Sequence, residues 1–207
     1  MLIIGLTGSI GMGKSTAAQR LADNGIAVFD ADAEVHRLYR GAAAPLIEKA
    51  FPGCVVDGVV DRSRLGAALM EDKDAIRALE AIVHPLVRKA EREFLRAEKA
   101  RGAEMAVLEI PLLYETGAEA WVDVTVVVSA PPDIQRERVL ARPGMSEEKL
   151  AHLLANQMSD AEKRNRADFV VDTSGPIEET GTVIDTIIES LRGRAGEAFP
   201  RWDAATA

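Results

Sequence analysis

Gly8-Ser9-Ile10-Gly11-Met12-Gly13-Lys14-Ser15 restricts what this chain can fold into more than any other stretch. It fits the phosphate-loop (P-loop) pattern of Gly, four residues, Gly-Lys and Ser or Thr. That pattern needs a strand before it and a helix after it, and both are legible. Leu2-Ile3-Ile4-Gly5-Leu6-Thr7 is an apolar run suited to a buried strand. Thr16-Ala17-Ala18-Gln19-Arg20-Leu21-Ala22 reads as a helix ended by Gly25. Gly11 and Gly13 let successive N–H groups face one concavity at a helix N-terminus, where partial positive charge favours phosphate. Lys14 can reach β- and γ-phosphates, and Ser15 can hold Mg²⁺. Gly11, Met12, Gly13, Lys14, Ser15 and Thr16 are therefore the candidate phosphate-binding set. The alternative is a glycine-rich turn that only joins strand to helix, but Lys-Ser at the helix start has no packing role in such a turn.

Composition limits the partners. A net charge of −8 argues against nucleic acid or an anionic membrane as the main partner, and aromatics at 4% leave no platform for stacking several bases. An anionic small ligand responds to local charge and remains open. The 207 residues, 47% of them hydrophobic, suit one core with small insertions. The single Cys54 excludes an internal disulfide and fits a reducing, cytoplasmic setting. No basic segment precedes the first apolar run, so no signal peptide is expected, and no run approaches the roughly 20 residues of a membrane span.

Strands at 26–29, 104–110, 123–129 and 169–171 follow the first and alternate with helices, which implies an α/β fold with a parallel sheet covered on both faces. Val55-Val56-Asp57-Gly58-Val59-Val60 reads as a hairpin with an Asp-Gly turn. Pro45 and Pro85 are read as helix starts, and 61–102 as mostly helical. Pro132, Ser146 and Ser159 open three further helices, the last through a Ser-Asp-Ala-Glu capping box. Ile177 to Leu191 closes the fold, and 193–207 reads as a poorly ordered tail.

Ligands in such sheets sit beyond the carboxyl ends of the strands. Asp30, Asp32, the Pro111–Glu115 loop and the residues after Val171 all fall there. Asp32 is either a base that takes a hydroxyl proton or the N-cap of a short helix from Glu34 to Tyr39. Asp30 is a metal-shell carboxylate or a strand-end turn residue. Arg142, and with it Arg138, is the candidate for neutralising transferred phosphate, while Arg136, Lys149 and Arg164 read as a solvated face with ion pairs. His36 and His84 read as structural, and Gln157 caps its helix or bonds a ligand.

Taken together, these residues resemble the dephospho-coenzyme A kinase family. The matching pieces are Thr7 to Thr16, Asp30-Ala31-Asp32, His84-Pro85, Pro111-Leu112-Leu113-Tyr114-Glu115, Gln135 to Arg142 with Ser146-Glu147-Glu148, Gln157 and Ala167-Asp168, in the family's order over about 160 residues. The resemblance implies a P-loop kinase core with a parallel five-stranded sheet (1–32 with 103–131 and 167–192). It also implies a mostly helical acceptor-binding insert (33–102), a helical lid (132–166) and a tail (193–207). It implies transfer of the γ-phosphate of ATP, with Mg²⁺, to the ribose 3′-hydroxyl of dephospho-coenzyme A, by a monomer or weak homo-oligomer. By motif matching, Asp32 is the base, Lys14 and Arg142 complete the catalytic set, and Ser15 holds the metal. Two positions depart from the family pattern: Met12 stands where Ser is common, and Asp172-Thr173 where Asn is common.

Two other readings compete. One is a P-loop nucleoside or nucleotide kinase with a different acceptor. The other is a GTPase switch, suggested by Asn165-Arg166-Ala167-Asp168 and Asp172-Thr173-Ser174-Gly175. The order of those two motifs is the reverse of what a GTPase carries.

Overall fold

β1 (Leu2–Thr7) is buried along its whole length in a computed structural model that describes residues 1–70 and 72–204. Its neighbours are β5 (Met105–Glu109) and β6 (Val124–Ser129), both parallel to it, and β6 pairs in parallel with β7 (Phe169–Asp172). With β2 (Ala27–Asp30) beside β5, the sheet has the order β2-β5-β1-β6-β7. The middle strands are continuous Val, Ile, Leu and Ala runs because both of their faces are covered. On one face Leu2, Ile4 and Leu6 meet Ala17 and Leu21 of α1 (Lys14–Asp23) and Ile184, Ile188 and Leu191 of α9 (Ile177–Leu191). On the other, Val127 packs with Leu113, Tyr114 and Ala118. Because the connection after β1 runs to β2 at one edge and that after its neighbour β5 runs to β6 on the other side, the loop after β1 lies at the topological switch point, where such sheets bind ligands.

The chain divides into two compact units. Among the described residues, 1–29 and 95–204 form the first, and 30–94 form the second. In the second, α2 (Ala31–Leu38), α3 (Ala44–Ala50), the β3–β4 hairpin (Val55–Val56 with Val59–Val60) and α4 (Arg62–Leu69) enclose a small core. Leu38, Ile47, Cys54, Val60 and Leu65 are its centre. The Asp57-Gly58 turn has positive φ at both residues, 50° and 77°, as a two-residue hairpin of this hand requires.

α5 (Lys73–Ala100) corrects one expectation, because it runs through Pro85 instead of starting there. A mid-helix proline removes one backbone hydrogen bond. Leu79, Ile82, Val83, Leu86 and Val87, on both sides of it, pack on the same apolar core, and that continuous stripe outweighs the loss. Glu71, which the helical reading of 61–102 included, lies outside the described residues.

The segment after Gly193 is also not a loose tail. α10 (Phe199–Ala204) is helical, and Ala198 and Trp202 are buried. The expectation for 205–207 falls outside the described residues. Among the described residues no helix is long and apolar enough to cross a membrane.

Glu91 on α5 is 3% exposed, and burial pushes its carboxyl up from 4.5 to about 7, against a weaker pull from Arg88. The Arg88 Nε to Glu91 Oε2 distance is 4.0 Å, too long for a hydrogen bond. A carboxyl raised in the folded state is protonated there between pH 4.5 and 7 while the unfolded chain is ionised. Stability therefore falls as pH rises through that window, by roughly 3 kcal/mol in total. Glu91→Gln is expected to be more stable than the parent chain at pH 8, with the difference vanishing near pH 4. Denaturant melts at the two pH values measure this.

Candidate functional site

The P-loop is held from several sides. Gly11 has φ +79°, and a Cβ there would lie 2.6 Å from Val139 Cγ2 and 3.1 Å from the Gln135 carbonyl, so only glycine fits. Val139 and Gln135 belong to α6 (Pro132–Leu140). Gln135, itself buried, donates from Nε2 to the Ile10 carbonyl at 2.8 Å. Met12 is 2% exposed, its sulfur accepts the Ala130 N–H at 3.0 Å, and its carbonyl accepts the Thr173 hydroxyl at 3.0 Å. The methionine thus ties the loop to the ends of β6 and β7.

α1 starts at Lys14 with Gly13 as N-cap, no side-chain cap and no acidic residue in its first turn. Its first amides and its dipole are left for an anion. Lys14 Nζ donates to the Gly8 carbonyl at 2.7 Å, folded back over the loop. Ser15 is exposed. It lines an open groove of about 680 Å³ with Thr16, Gln19 and Arg20 of α1 and Ile177 and Thr180 of α9. Ile177 is 69% exposed at the start of α9.

The two aspartates after β2 have separate local roles. Asp30 is the N-cap of α2, its side chain accepting the Ala33 N–H at 2.9 Å. The capping role left open for Asp32 therefore belongs to Asp30, two residues earlier. Asp32 lies in the first turn of α2 and is exposed.

The arginines of α6 also separate. Arg138 donates to the Thr173 carbonyl at 2.6 Å and to its hydroxyl at 3.1 Å, so it is tied into the framework. Arg136 pairs with Glu147, and Lys149 Nζ donates to the Gly144 carbonyl at 2.6 Å. Arg142 is exposed, and its guanidinium has no hydrogen bond or ion pair among the described residues. α7 (Glu147–Ala155) follows, capped by Ser146, and then α8 (Asp160–Arg166) with its Ser159–Glu162 capping box.

The guanine-type motifs are otherwise employed. Asp168 accepts the Thr125 N–H at 2.8 Å and its hydroxyl at 2.9 Å through Oδ2, which ties it to β6. Asn165 lies within α8 and not at a strand end. The Ser174 hydroxyl, together with the Ser174 N–H at 2.8 Å, holds the Asp172 carboxyl below the usual range.

Sequence reasoning attached no role to Lys163 or to the Thr173 hydroxyl. Lys163 is completely buried and pairs with Glu115 at 2.9 Å. Both contacts join residues far apart in the chain, and no local pattern signals them.

A family model described as dephospho-CoA kinase matches residues 2–179. A dephospho-CoA kinase of Mesorhizobium japonicum is 56% identical over 95% of this chain and 100% of its own length. The crystal structure of a Thermus thermophilus protein superposes with a TM-score of 0.80 at 38% identity, over 93% of this chain and 98% of that one. A dephospho-CoA kinase of Campylobacter jejuni, 23% identical over 91% of this chain and 96% of its own, shares the fold with a TM-score of 0.63. With its P-loop at the switch point of a parallel sheet and a match across most of its length, the chain belongs to the dephospho-CoA kinase family.

Proposed function

We propose that this chain transfers the γ-phosphoryl group of ATP to the ribose 3′-hydroxyl of dephospho-coenzyme A, giving coenzyme A and ADP, the final step of coenzyme A synthesis. The observation that carries this is the family match over residues 2–179, joined to a P-loop whose helix start is free of caps and acids.

In this reading the amides of Gly11 to Thr16 cradle the phosphates, and Lys14 swings from the Gly8 carbonyl onto the β- and γ-oxygens. The nucleoside lies along the groove between α1 and α9, where the exposed Ile177 offers an apolar surface. The Ser15 hydroxyl fits a Mg²⁺ ligand, because it is exposed at the helix start beside that groove. When bound, the ion neutralises charge on the β- and γ-oxygens. Asp32 accepts the proton of the attacking hydroxyl. Residues 33–102 hold the acceptor. Segment 132–166 closes over ATP and excludes water, so that transfer outruns hydrolysis.

Arg142 carries the electrostatic part of lid closure, since its guanidinium is uncommitted while Arg138 is not. Arg142→Ala is expected to lower kcat by roughly 10²-fold or more with KM for dephospho-coenzyme A changed less. Unchanged steady-state kinetics would return Arg142 to the solvated face.

The assignment is tested by ADP release from Mg-ATP with dephospho-coenzyme A, adenosine, AMP or pantothenate as acceptor. Release only with dephospho-coenzyme A, with coenzyme A as product, is expected. Release with another acceptor alone would replace this reading with a P-loop kinase of the nucleoside or nucleotide class.

A further inference from the structure

Lys163 has no exposed surface, yet it lies on α8 among charged neighbours that are exposed. Its ammonium pairs with Glu115 Oε1 at 2.9 Å and donates to the Pro111 carbonyl at 3.3 Å. Both acceptors are shared. The Pro111 carbonyl also accepts the Thr7 hydroxyl at 3.1 Å, and Thr7 is the last residue of β1 before the P-loop. Glu115 Oε1 also accepts the Met158 N–H at 2.8 Å, in the link between α7 and α8. Arg166, on the same helix, lies over the Tyr114 ring at 4.6 Å and pairs with Glu119. One buried cation therefore joins the root of the P-loop, the Pro111–Glu115 turn and the C-terminal foot of segment 132–166.

Packing alone does not account for a charged pair here. Buried ion pairs are replaced by apolar residues of similar volume at little or no cost to stability. What such a pair adds is direction, because an ammonium held between a carboxylate and a carbonyl, and a carboxylate that also accepts a backbone N–H, admit few arrangements.

We propose that Lys163 is a positioning residue for phosphoryl transfer. It welds α8 to the Pro111–Glu115 turn, so that α8 stays fixed with the sheet as the pivot on which 141–157 closes, α6 itself being tied to the P-loop and to Thr173, and it fixes Thr7 and the P-loop relative to that pivot. This rests on the function proposed above. It also moves the boundary of the mobile lid from residue 166 to about residue 157.

The test is the double variant Lys163→Met with Glu115→Gln, which removes both charges together and keeps an oxygen for the Met158 N–H. The melting temperature is expected to stay near that of the parent chain. kcat for coenzyme A formation falls about tenfold to a hundredfold, while KM values for both substrates stay within about twofold. ADP released without matching coenzyme A rises, because a loose pivot admits water. A purely structural pair would leave the ratio of ADP to coenzyme A at its parent value. A folded double variant with parental kcat and parental ratio overturns the proposal.

If the double variant does not fold, Thr7→Val, which removes one donor at the Pro111 carbonyl and no charge, is expected to raise the same ratio; an unchanged ratio overturns the proposal. Amide hydrogen exchange in the nucleotide-free protein separates this inference from the assignment of the reaction. Faster exchange over 8–16 and 147–158 in either variant supports the weld. Unchanged exchange in both segments refutes it, even if the parent chain makes no coenzyme A.

Discussion

Asp32→Asn is expected to lower kcat for coenzyme A formation by about 10²–10⁴, the usual contribution of a positioned general base. Its stability is expected to fall by no more than about 1 kcal/mol, the value of one carboxylate near a helix N-terminus. The separation of these effects follows from the turn after β2. Asp30 carries the capping bond of α2, to the Ala33 N–H, and keeps it in the variant. Asparagine has the shape of aspartate and loses only its charge and basicity. A residue with a merely helical role would show the small stability change and no rate change. Steady-state kinetics on a variant with a parental melting curve distinguish the two, and a kcat within threefold of the parent chain would reject Asp32 as the base.

Short-range chemistry was legible in the sequence because its causes lie within a few residues. The Asp57-Gly58 turn, the Ser146 cap and the Ser159–Glu162 capping box each depend on neighbours at most four positions apart, and the P-loop pattern on eight consecutive residues between a strand and a helix. The parallel sheet followed from Val-rich strands alternating with helices. Near misses occurred where two residues compete for one local role. Asp30 and Asp32 both suit an N-cap, and only the start of α2 at Ala31 decides between them. Pro85 was read as a helix start because a missing amide is tolerated there, whereas the tertiary stripe on both sides of it prevails.

What stayed hidden depends on partners more than 30 residues away. Lys163 finds Glu115 and Pro111 across 48 and 52 positions, and nothing in Glu-Lys-Arg-Asn marks its lysine as the buried one. Arg138 looked like a free cation, and Thr173 claims it across 35 positions. The same physics explains what Met12 does. A P-loop binds phosphate with its backbone, but its side chains decide what the loop leans on, and here a thioether leans on Ala130.

The C-terminal segment gives the second large effect, on stability. Trp202 is 2% exposed, its ring lies 5.2 Å from that of Trp121, and its Nε1 donates to the Trp121 carbonyl at 2.6 Å. Asp123 fastens the same segment. Its Oδ1 accepts the N–H groups of Glu197 and Ala198 at 2.6 and 2.7 Å, and its Oδ2 accepts that of Ile3 at 2.8 Å. The segment therefore closes onto the start of β1, although the family match ends at residue 179. Truncating a buried Trp costs about 3–5 kcal/mol, and at this length each kcal/mol lowers the melting temperature by roughly 2–4 °C. Trp202→Ala is expected to melt roughly 6–12 °C lower, towards the smaller cost because a terminal segment can open locally before the sheet does. Its kcat at 25 °C should be unchanged, since the segment grips the amino end of β1 and the P-loop leaves the carboxyl end, roughly 16 Å away along the strand. Differential scanning calorimetry beside the coenzyme A assay reads both. A melting temperature within 2 °C of the parent chain would mean that 193–204 contributes nothing to the core, as its terminal position suggests.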